Sequence, residues 1–412
     1  MTIKILLSTL VIGVMLAGAC VAPPASPSPT ETPTPTQPPP TAVPTQTLTP
    51  SPGEQGLPGP IITGNSVEIC LNSRYSDHSL TGTASSQQMA NILWAAGKAP
   101  VTGSYRNIYV STPTAEYLYD PGTYALSRHS GQSVTGGAFV INCESDLAFD
   151  TGVSYMLATL ASVSLWKSSE PAVASCPQQT SLYFGVQDVR GLTSELVAHC
   201  SVPQGDPGWL PDPSTDGQDK LEEVLANLKY VSNFSSENLT LQQISQLLWA
   251  GYGCTPHRAD IGGRAGLTVP SAMAAYYLTG TIYLANEKGV YRYQNRNPST
   301  DLTTRDHRIE PIKSNDVRGN LGAAVSGLPQ APCYVIICLD YSRVSGAQVQ
   351  NWALLETGFV AANILVQATA IGFGCDFEPT LTSGEQASIQ TVAGIPSSHT
   401  PRVIISIGGV PK

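Results

Sequence analysis

Two short segments, far apart in the chain, carry residue types suited to holding a ligand. The first contains Arg74 and Ser76. Arginine offers a planar fork of donors that suits a phosphate group, and a serine hydroxyl can complete the grip. The second is the turn of Pro270, Ser271 and Ala272, whose small side chains let the backbone approach a ligand closely. Each has an ordinary alternative, since a single arginine is often a solvated surface charge and such a turn often only joins a strand to a helix.

Other combinations of reactive residues do not form a recognisable catalytic site. Asp77, His78 and Ser79 are consecutive, so their side chains cannot converge as a hydrolase triad requires, and no Gly-x-Ser-x-Gly segment occurs. The histidines stand far apart and no Cys-x-x-Cys pair is present, so no metal site is expected. The glycine-rich segment 262–266 lacks the lysine of a phosphate loop and is interpreted as a mobile loop. No side chain is therefore predicted to act as a catalytic acid or base.

The elements that must position these segments recur along the chain. The segment SQQMANILWAAG at 86–97 matches LQQISQLLWAGY at 241–252, with Trp94 falling on Trp249. Both place apolar residues at helical spacing, which predicts an amphipathic helix in each half. Two hairpin strands, a long helix that opens on an acid followed by Thr and Gly, and a final strand then follow in the same order in both halves. The matched ranges are 108–110 and 117–119 with 282–284 and 291–293, 150–165 with 353–371, and 181–189 with 402–410. This shared order predicts two copies of one unit.

The second half resembles the flavin-dependent nitroreductase family, especially the branch related to azoline-oxidising dehydrogenases. The resemblance rests on the Trp249 helix, VPSAMAAYYL at 269–278, the GVYRY hairpin at 289–293 and LLETGFVAANILVQATAIGFG at 354–374. In the family these positions hold a Trp-containing helix, a Pro-Ser-Ala-Gly-Ala-Leu-Tyr turn, a Tyr-Arg-Tyr hairpin and a helix opening on Glu-Ala-Gly. The first half resembles the family as a weaker copy.

The resemblance implies FMN as the cofactor. Family members are usually homodimers with FMN in the dimer interface. An Arg-x-Ser-x-Arg segment and a basic residue near the C-terminal end of one subunit bind the phosphate, while the Pro-Ser turn comes from the other subunit. Arg74 and Ser76 match the first segment, with His78 in place of the second Arg, and Arg190 is the expected C-terminal partner. The corresponding segment of the second half begins at Lys229 and lacks both the serine and the second Arg.

Because the Pro-Ser-Ala turn occurs only in the second half, the resemblance implies one complete site per chain. Arg74, Ser76 and Arg190 would bind the phosphate, and Pro270, Ser271 and Ala272 would face the flavin ring.

Two departures from the family limit what the resemblance implies. Azoline-oxidising relatives carry a Lys-Tyr pair where this chain has Val344 and Ser345, so thiazole or oxazole formation is not expected. Met273 and Ala274 replace the Gly and Ala of the family's turn, so a different backbone path is expected there.

Composition restricts the partners and the compartment. The formal net charge is −9, only 12% of residues are charged and no Lys/Arg cluster occurs, which argues against a nucleic-acid partner. Eight cysteines remain when Cys20 is set aside; an oxidising compartment would permit disulfides, but spacing leaves their pairing open.

The N-terminal segment predicts export. Lys4 precedes an apolar run at 5–16 that is too short to span a bilayer, and LAGAC at 16–20 resembles the bacterial lipobox, in which the cysteine is diacylated. The alternative is an ordinary signal peptide with Cys20 as a stray thiol. Residues 21–58 are rich in Pro, Thr, Ser and Ala and predict an extended tether.

These observations predict an α+β protein of two tandem nitroreductase-like units, joined as an intramolecular pseudo-dimer in a monomeric chain. The expected function is that of an exported FMN-dependent oxidoreductase, lipid-anchored to the outer face of the cell membrane and acting on a small molecule. A non-catalytic lipoprotein that uses the fold as a binding scaffold is the alternative. The expected segments are a signal peptide (1–19), lipidated Cys20 and tether (20–58), a first unit (59–202), a linker (203–218) and a second unit (219–412).

Overall fold

The chain folds as an α+β protein in a computed structural model. The structure describes residues 54–74, 76, 83–131, 138–167, 173–178, 181–186, 208–258, 265–295 and 306–411. Within these ranges each predicted unit contributes one antiparallel sheet with helices packed against it. The predicted fold class is confirmed, and the two sheets are consistent with the predicted two-unit arrangement.

The helices and strands of the two units follow one another in a similar order. The first unit contains β1 (Glu54–Gly56), α1 (Val67–Ser73), α2 (Ser86–Gly97), β2 (Arg106–Ser111), β3 (Glu116–Asp120), β4 (Ala125–Ser130), β5 (Phe139–Ser145), α3 (Ala148–Lys167), β6 (Val173–Gln178) and β7 (Ser181–Val186). The second contains α4 (Leu221–Ala226), α5 (Leu241–Tyr252), β8 (Cys254–Arg258), β9 (Ala265–Leu267), β10 (Ile282–Asn286), β11 (Gly289–Gln294), β12 (Arg308–Lys313), α6 (Arg318–Ala324), β13 (Cys333–Asp340), α7 (Ala347–Ala370), β14 (Phe373–Glu378), α8 (Ser383–Ala393) and β15 (His399–Gly409).

The two sheets have the same strand order. The first runs β1-β4-β3-β2-β5-β7-β6 and the second β12-β11-β10-β13-β15-β14, so each strand of the second sheet has a counterpart in the first. Both Trp helices, α2 and α5, start with a capping box, Ser85 with Gln88 and Thr240 with Gln243. The hairpins also pair in the same register, since Val110 faces Tyr117 just as Leu284 faces Tyr291. The sequence repeat is therefore a structural repeat.

The two long helices, α3 and α7, pack against each other through a pair of glycines. A Cβ on Gly152 would lie 2.2 Å from the carbonyl oxygen of Leu355, and a Cβ on Gly358 would lie 2.2 Å from that of Phe149. The contact is reciprocal, as expected where two equivalent units meet about a pseudo-two-fold axis. Only glycine allows the two backbones to approach so closely.

A second reciprocal contact lies just before α1 and α4. The amide of Val67 donates to the carbonyl of Asp219 (3.2 Å), and the amide of Leu221 donates to the carbonyl of Asn65 (2.9 Å). These bonds flank an antiparallel bridge between Ser66 and Lys220.

That bridge corrects one detail of the sequence comparison. Because Ser66 and Lys220 face each other across the axis, they are equivalent positions of the two units. Counting onward from them makes Leu228 the counterpart of Arg74 and Tyr230 the counterpart of Ser76, whereas the sequence alignment pairs Arg74 with Lys229. The alignment is wrong by one residue, because the second half has one more residue between the bridge and its Trp helix. Tyr230 and Ser76 both lie in isolated bridges, which supports the corrected equivalence.

Several elements occur in the second unit and have no counterpart among the described residues of the first. The β8–β9 ladder follows α5, and α1 of the first unit packs against β8. Helices α6 and α8 cover the outer face of the second sheet over a separate apolar cluster. The main core instead contains residues of both units around α3 and α7. Helix α7 is long and apolar enough to cross a membrane, but 89% of its most apolar stretch is buried inside the fold.

The ends of the predicted tether and linker need correction. Glu54–Gly56 forms an edge strand paired with β4, so the tether ends before residue 54 and not at 58. Backbone pairing along the β4 edge holds this segment, which its composition does not indicate. In the linker, Leu210 is buried and its amide donates to the carbonyl of His307 in the second unit (3.0 Å), while the amide of Gly217 donates to Ser66 Oγ of the first unit (3.2 Å). Within the described residues, Cys143, Cys333, Cys338 and Cys375 are free thiols.

Candidate active site between the two units

Arg74 follows the end of α1 and is buried, with 5% of its surface exposed. Its Nε and Nη2 atoms donate to the carbonyl oxygen of Leu267 (3.1 and 2.8 Å), and Nη1 donates to Ser76 Oγ (3.1 Å). Leu267 lies in β9 of the second unit, so the guanidinium joins the two units. Burial lowers the pKa of Arg74 below its usual value. The alternative that Arg74 is a solvated surface charge is therefore wrong.

The charge of Arg74 is not neutralised by a carboxylate within the described residues. The Tyr276 phenol opposes the lowering of its pKa. Three of the five guanidinium N–H groups donate to Leu267 and Ser76, and among the described residues the other two have no acceptor. A buried cation is costly unless it is paired. The residues present thus fit an anionic or oxygen-rich group of a ligand at this place.

The Pro-Ser-Ala turn directly follows the strand that binds Arg74. Ser271 Oγ accepts from the amide of Tyr276 (2.8 Å), and its hydroxyl donates to Glu356 Oε2 (2.5 Å). Tyr276 contacts the turn through its amide, and its phenol raises the pKa of Arg74 against the effect of burial. The structure therefore brings Arg74 and Ser76 together with the segment of Pro270, Ser271 and Ala272.

The backbone after Ala272 is strained. Met273, Ala274 and Tyr276 have φ angles of 57°, 49° and 50°, in the left-handed region that favours glycine. Met273 stands where the resembled family has glycine, and its side chain is 66% exposed. Strain of this kind persists only where the surrounding structure holds it in place, and it is often found at functional sites.

Glu356 is a site residue that sequence reasoning did not select. It lies on α7, is 1% exposed, and accepts from the hydroxyls of Ser271 and Tyr252 as well as from the amide of Leu278 (3.4 Å). Burial raises its pKa to about 7, although these hydrogen bonds and the charge of Arg343 oppose the shift. A signal was present, because Glu356 is the only charged residue in the sequence of α7 and aligns with Asp150.

The equivalent place on the other side of the pseudo-two-fold axis, here named the Tyr230 region, is built differently. Leu228 and Tyr230 replace Arg74 and Ser76 there. The Tyr230 ring packs on Phe377 with centroids 5.3 Å apart, and Phe377 packs edge-on against Phe149 at 5.5 Å.

Asp150 takes the place of Glu356 in the Tyr230 region. It accepts from the amide and hydroxyl of Thr102 (3.0 and 2.6 Å) and from the amide of Gly103 (2.9 Å). Each unit therefore has a buried acid that fixes the loop leading into its hairpin.

Several predicted features lie outside the described residues. They are the signal peptide, the anchor Cys20 and the tether up to residue 53, the phosphate partner Arg190, His78, and residues 262–264 of the glycine-rich segment. Val344 is buried and Ser345 exposed directly ahead of α7, where the azoline-oxidising relatives carry their Lys-Tyr pair.

Fold and site together define a two-unit α+β protein with a candidate ligand-binding place where the units meet. A model of the nitroreductase family matches residues 231–409, within the second unit. A candidate nitroreductase of Methanocaldococcus jannaschii is 33% identical over 167 residues, which cover 38% of this chain and 76% of the relative. The chain belongs to the nitroreductase family, whose members are typically FMN-dependent oxidoreductases.

Solved structures share the fold. A candidate nitroreductase from Anabaena variabilis superposes with a TM-score of 0.55 at 11% identity, covering 85% of this chain and 92% of its own. That coverage exceeds either unit, so the likeness extends over both. The match to a second candidate nitroreductase, from Ralstonia eutropha, spans 50% of this chain and 90% of the other chain, at 22% identity and a TM-score of 0.41.

Proposed function

We propose that the protein is a membrane-anchored FMN-dependent oxidoreductase that acts on a small molecule at one flavin site per chain. The observation that carries the proposal is the buried guanidinium of Arg74. It lies between Ser76 and the carbonyl of Leu267, next to the Pro-Ser-Ala turn of the other unit. Family membership supports the oxidoreductase class.

Each residue of the site has a distinct part in the proposal. Arg74 and Ser76, with Arg190, hold the phosphate, because the guanidinium fork and the hydroxyl match its oxygens. Pro270, Ser271 and Ala272 line the ring. FMN, when bound, supplies the transfer of a hydride or an electron pair. The protein's own task is to orient the ring and to exclude water from it.

The proposal places the protein outside the cell membrane through a lipidated Cys20. The support is the lipobox-like LAGAC segment and the Pro/Thr-rich stretch that precedes residue 54. Labelling of the expressed protein with a radioactive fatty acid tests this part. Label in the wild type and none in Cys20→Ser is expected; equal label in both would contradict the anchor.

The alternative function is a lipoprotein that binds a small molecule or partner without catalysis. Erosion of the Tyr230 region, where Leu228 and Tyr230 replace the polar pair, favours it. Arg74, Ser76 and the Pro-Ser-Ala turn remain together on the other side, and this favours the enzyme.

Purification of the full chain distinguishes the two functions. The enzyme proposal predicts a yellow protein that releases FMN on denaturation and whose flavin, once reduced with dithionite, is reoxidised by small acceptors. A colourless protein that does not take up added FMN would overturn it. Bound FMN that no acceptor reoxidises would favour the scaffold.

A further inference from the structure

The most unusual buried group near the turn is the carboxyl of Glu356. One oxygen accepts the Ser271 hydroxyl at 2.5 Å, and the other accepts the Tyr252 hydroxyl and the amide of Leu278. Ser271 in turn accepts from the amide of Tyr276. A chain of hydrogen bonds therefore runs from α7 through Ser271 into the left-handed turn.

This arrangement suits the ionised form of Glu356. A carboxylate only accepts hydrogen bonds, and every neighbour that bonds to Glu356 is a donor. A protonated carboxyl must donate one bond, so either Ser271 or Tyr252 would lose its acceptor. A buried hydroxyl that loses its acceptor costs about 1–3 kcal/mol and is held less firmly. If Ser271 is the hydroxyl that loses its acceptor, the turn that carries Met273 and Tyr276 is held less firmly as well.

We propose that Glu356 is a positioning residue for the flavin site, and that its ionised form holds the Ser271 turn in the geometry that binds flavin. The inference rests on the proposed function, because it assigns the turn to the flavin. It predicts that FMN binding strengthens as pH rises through neutrality, which matches a pKa of about 7 for Glu356. Glu356 is not proposed to touch the reacting atoms.

The charged and titratable groups around Glu356 come from each element packed on it. Tyr252 lies on α5, Tyr277 follows the turn, and Arg343 precedes α7 and donates to the carbonyl of Thr279 (2.8 Å). Helix α3 contributes Asp150, which is engaged with Thr102 and Gly103. Burial raises the pKa of Tyr277, so this phenol stays neutral near pH 7. Among the described residues around the turn, Glu356 is therefore the group whose charge changes near pH 7.

The test is the FMN dissociation constant of the full chain, measured by quenching of FMN fluorescence at about pH 6 and about pH 8. If the ionised form binds FMN about tenfold more tightly than the protonated form, a pKa of about 7 gives roughly fivefold tighter binding at the higher pH. Glu356→Gln resembles the protonated form. We expect it to bind FMN about tenfold more weakly than the wild type at the higher pH and about equally at the lower pH.

Two controls make the result specific. The FMN phosphate itself titrates near pH 6, so the informative quantity is the difference between the wild type and Glu356→Gln. Asp150→Asn changes the equivalent acid of the other unit and is expected to leave both FMN affinity and its pH dependence unchanged. Circular dichroism of the apoproteins verifies that each variant is folded.

The outcomes separate the inference from the proposed function. FMN binding whose pH dependence is the same in the wild type and in Glu356→Gln would overturn the role of Glu356 alone. The same applies if Asp150→Asn shifts the affinity as strongly. Absence of FMN binding at every pH would overturn the proposed function and the inference with it.

Discussion

The two places related by the pseudo-two-fold axis have the same scaffold and opposite chemistry. Around Arg74, a buried cation, a serine hydroxyl and a left-handed turn meet. In the Tyr230 region, Leu228 and Tyr230 occupy the equivalent positions, and aromatic rings pack on one another. Burial and the neighbouring Asp376 raise the pKa of Tyr230, so this ring stays neutral at neutral pH.

The difference shows how one site can be kept when a fold is repeated in one chain. The glycine contact between α3 and α7 and the acid that fixes each hairpin loop are present on both sides. The glycine contact holds the units together, and each acid holds a loop of its own unit. Among the described residues, the guanidinium and hydroxyl pair that fits a phosphate is present on one side only, whereas on the other side the Tyr230 and Phe377 rings pack on each other.

The largest expected effect comes from breaking the symmetric contact itself. Gly152→Ala and Gly358→Ala each place a Cβ 2.2 Å from a carbonyl oxygen of the facing helix. We expect each to lower the free energy of unfolding by about 3 kcal/mol or more, and by similar amounts, because the contact is reciprocal. Thermal or urea unfolding measures this. Gly384→Ala, with open space around it, is the control and should be nearly neutral. Very different costs at the two glycines would contradict the pseudo-two-fold contact.

The second prediction concerns the two buried acids, Glu356 and Asp150, whose replacement should change the free energy of unfolding with a different dependence on pH. The pKa of Glu356 is raised from its usual value to about 7 in the fold, so its contribution to stability is present at low pH and is lost as pH rises from about 4.5 through 7. The full shift corresponds to about 3 kcal/mol. Glu356→Gln should therefore match the wild type near pH 4.5 and be the more stable apoprotein near pH 8.

Urea unfolding of the apoproteins at the two pH values measures this difference. Asp150→Asn is the matched control and should be destabilised at both, because it weakens the three bonds from Thr102 and Gly103. If the free energies of unfolding of Glu356→Gln and the wild type differed by the same amount at both pH values, the raised pKa of Glu356 would be contradicted.

The third prediction tests the polar side of the comparison. Arg74→Ala should weaken FMN binding by about 100-fold, because it removes a buried charge and the donors to Ser76 and Leu267. Lys229→Ala, beside the counterpart position Leu228, should leave the affinity unchanged. Arg74→Lys keeps the charge without the planar fork of donors, so its FMN affinity should lie between those of Arg74→Ala and Lys229→Ala. Equal losses for Arg74→Ala and Lys229→Ala would argue against a single site at Arg74.

The smallest effect concerns the strained turn, which has no counterpart described in the Tyr230 region. Met273 has a φ of 57° and a side chain that is 66% exposed. Met273→Gly should be about 1 kcal/mol more stable than Met273→Ala, because both remove the side chain and only glycine relieves the left-handed backbone. Thermal unfolding of the two variants checks this. If Met273→Ala were the more stable variant, the left-handed backbone at this position would not be the source of strain.

Much of the fold could be predicted because the repeat carries strong local signals. The Trp helices have caps and helical spacing, and the hairpins keep their Tyr residues in register. Helix α7 begins at Ala347, earlier than the predicted 353, because QVQNW is polar and does not extend the apolar pattern. The strand Glu54–Gly56 was missed because its pairing with β4 depends on tertiary contact and not on composition.

The site could be predicted only in part. Arg74, Ser76 and the Pro-Ser-Ala turn were found from motif resemblance, and the structure brings them together. The role of Glu356 and the filling of the Tyr230 region depend on burial and on contacts between distant segments. A one-residue difference in spacing also hid that Leu228, and not Lys229, is the counterpart of Arg74.

The most direct test of the asymmetry is the number of flavins per chain. The full chain is saturated with FMN, freed of excess and denatured, and the released FMN is compared with the protein concentration. One site at Arg74 and an apolar Tyr230 region predict one FMN per chain, with nearly complete loss in Arg74→Ala. Two FMN per chain, or one that persists in Arg74→Ala, would contradict this account.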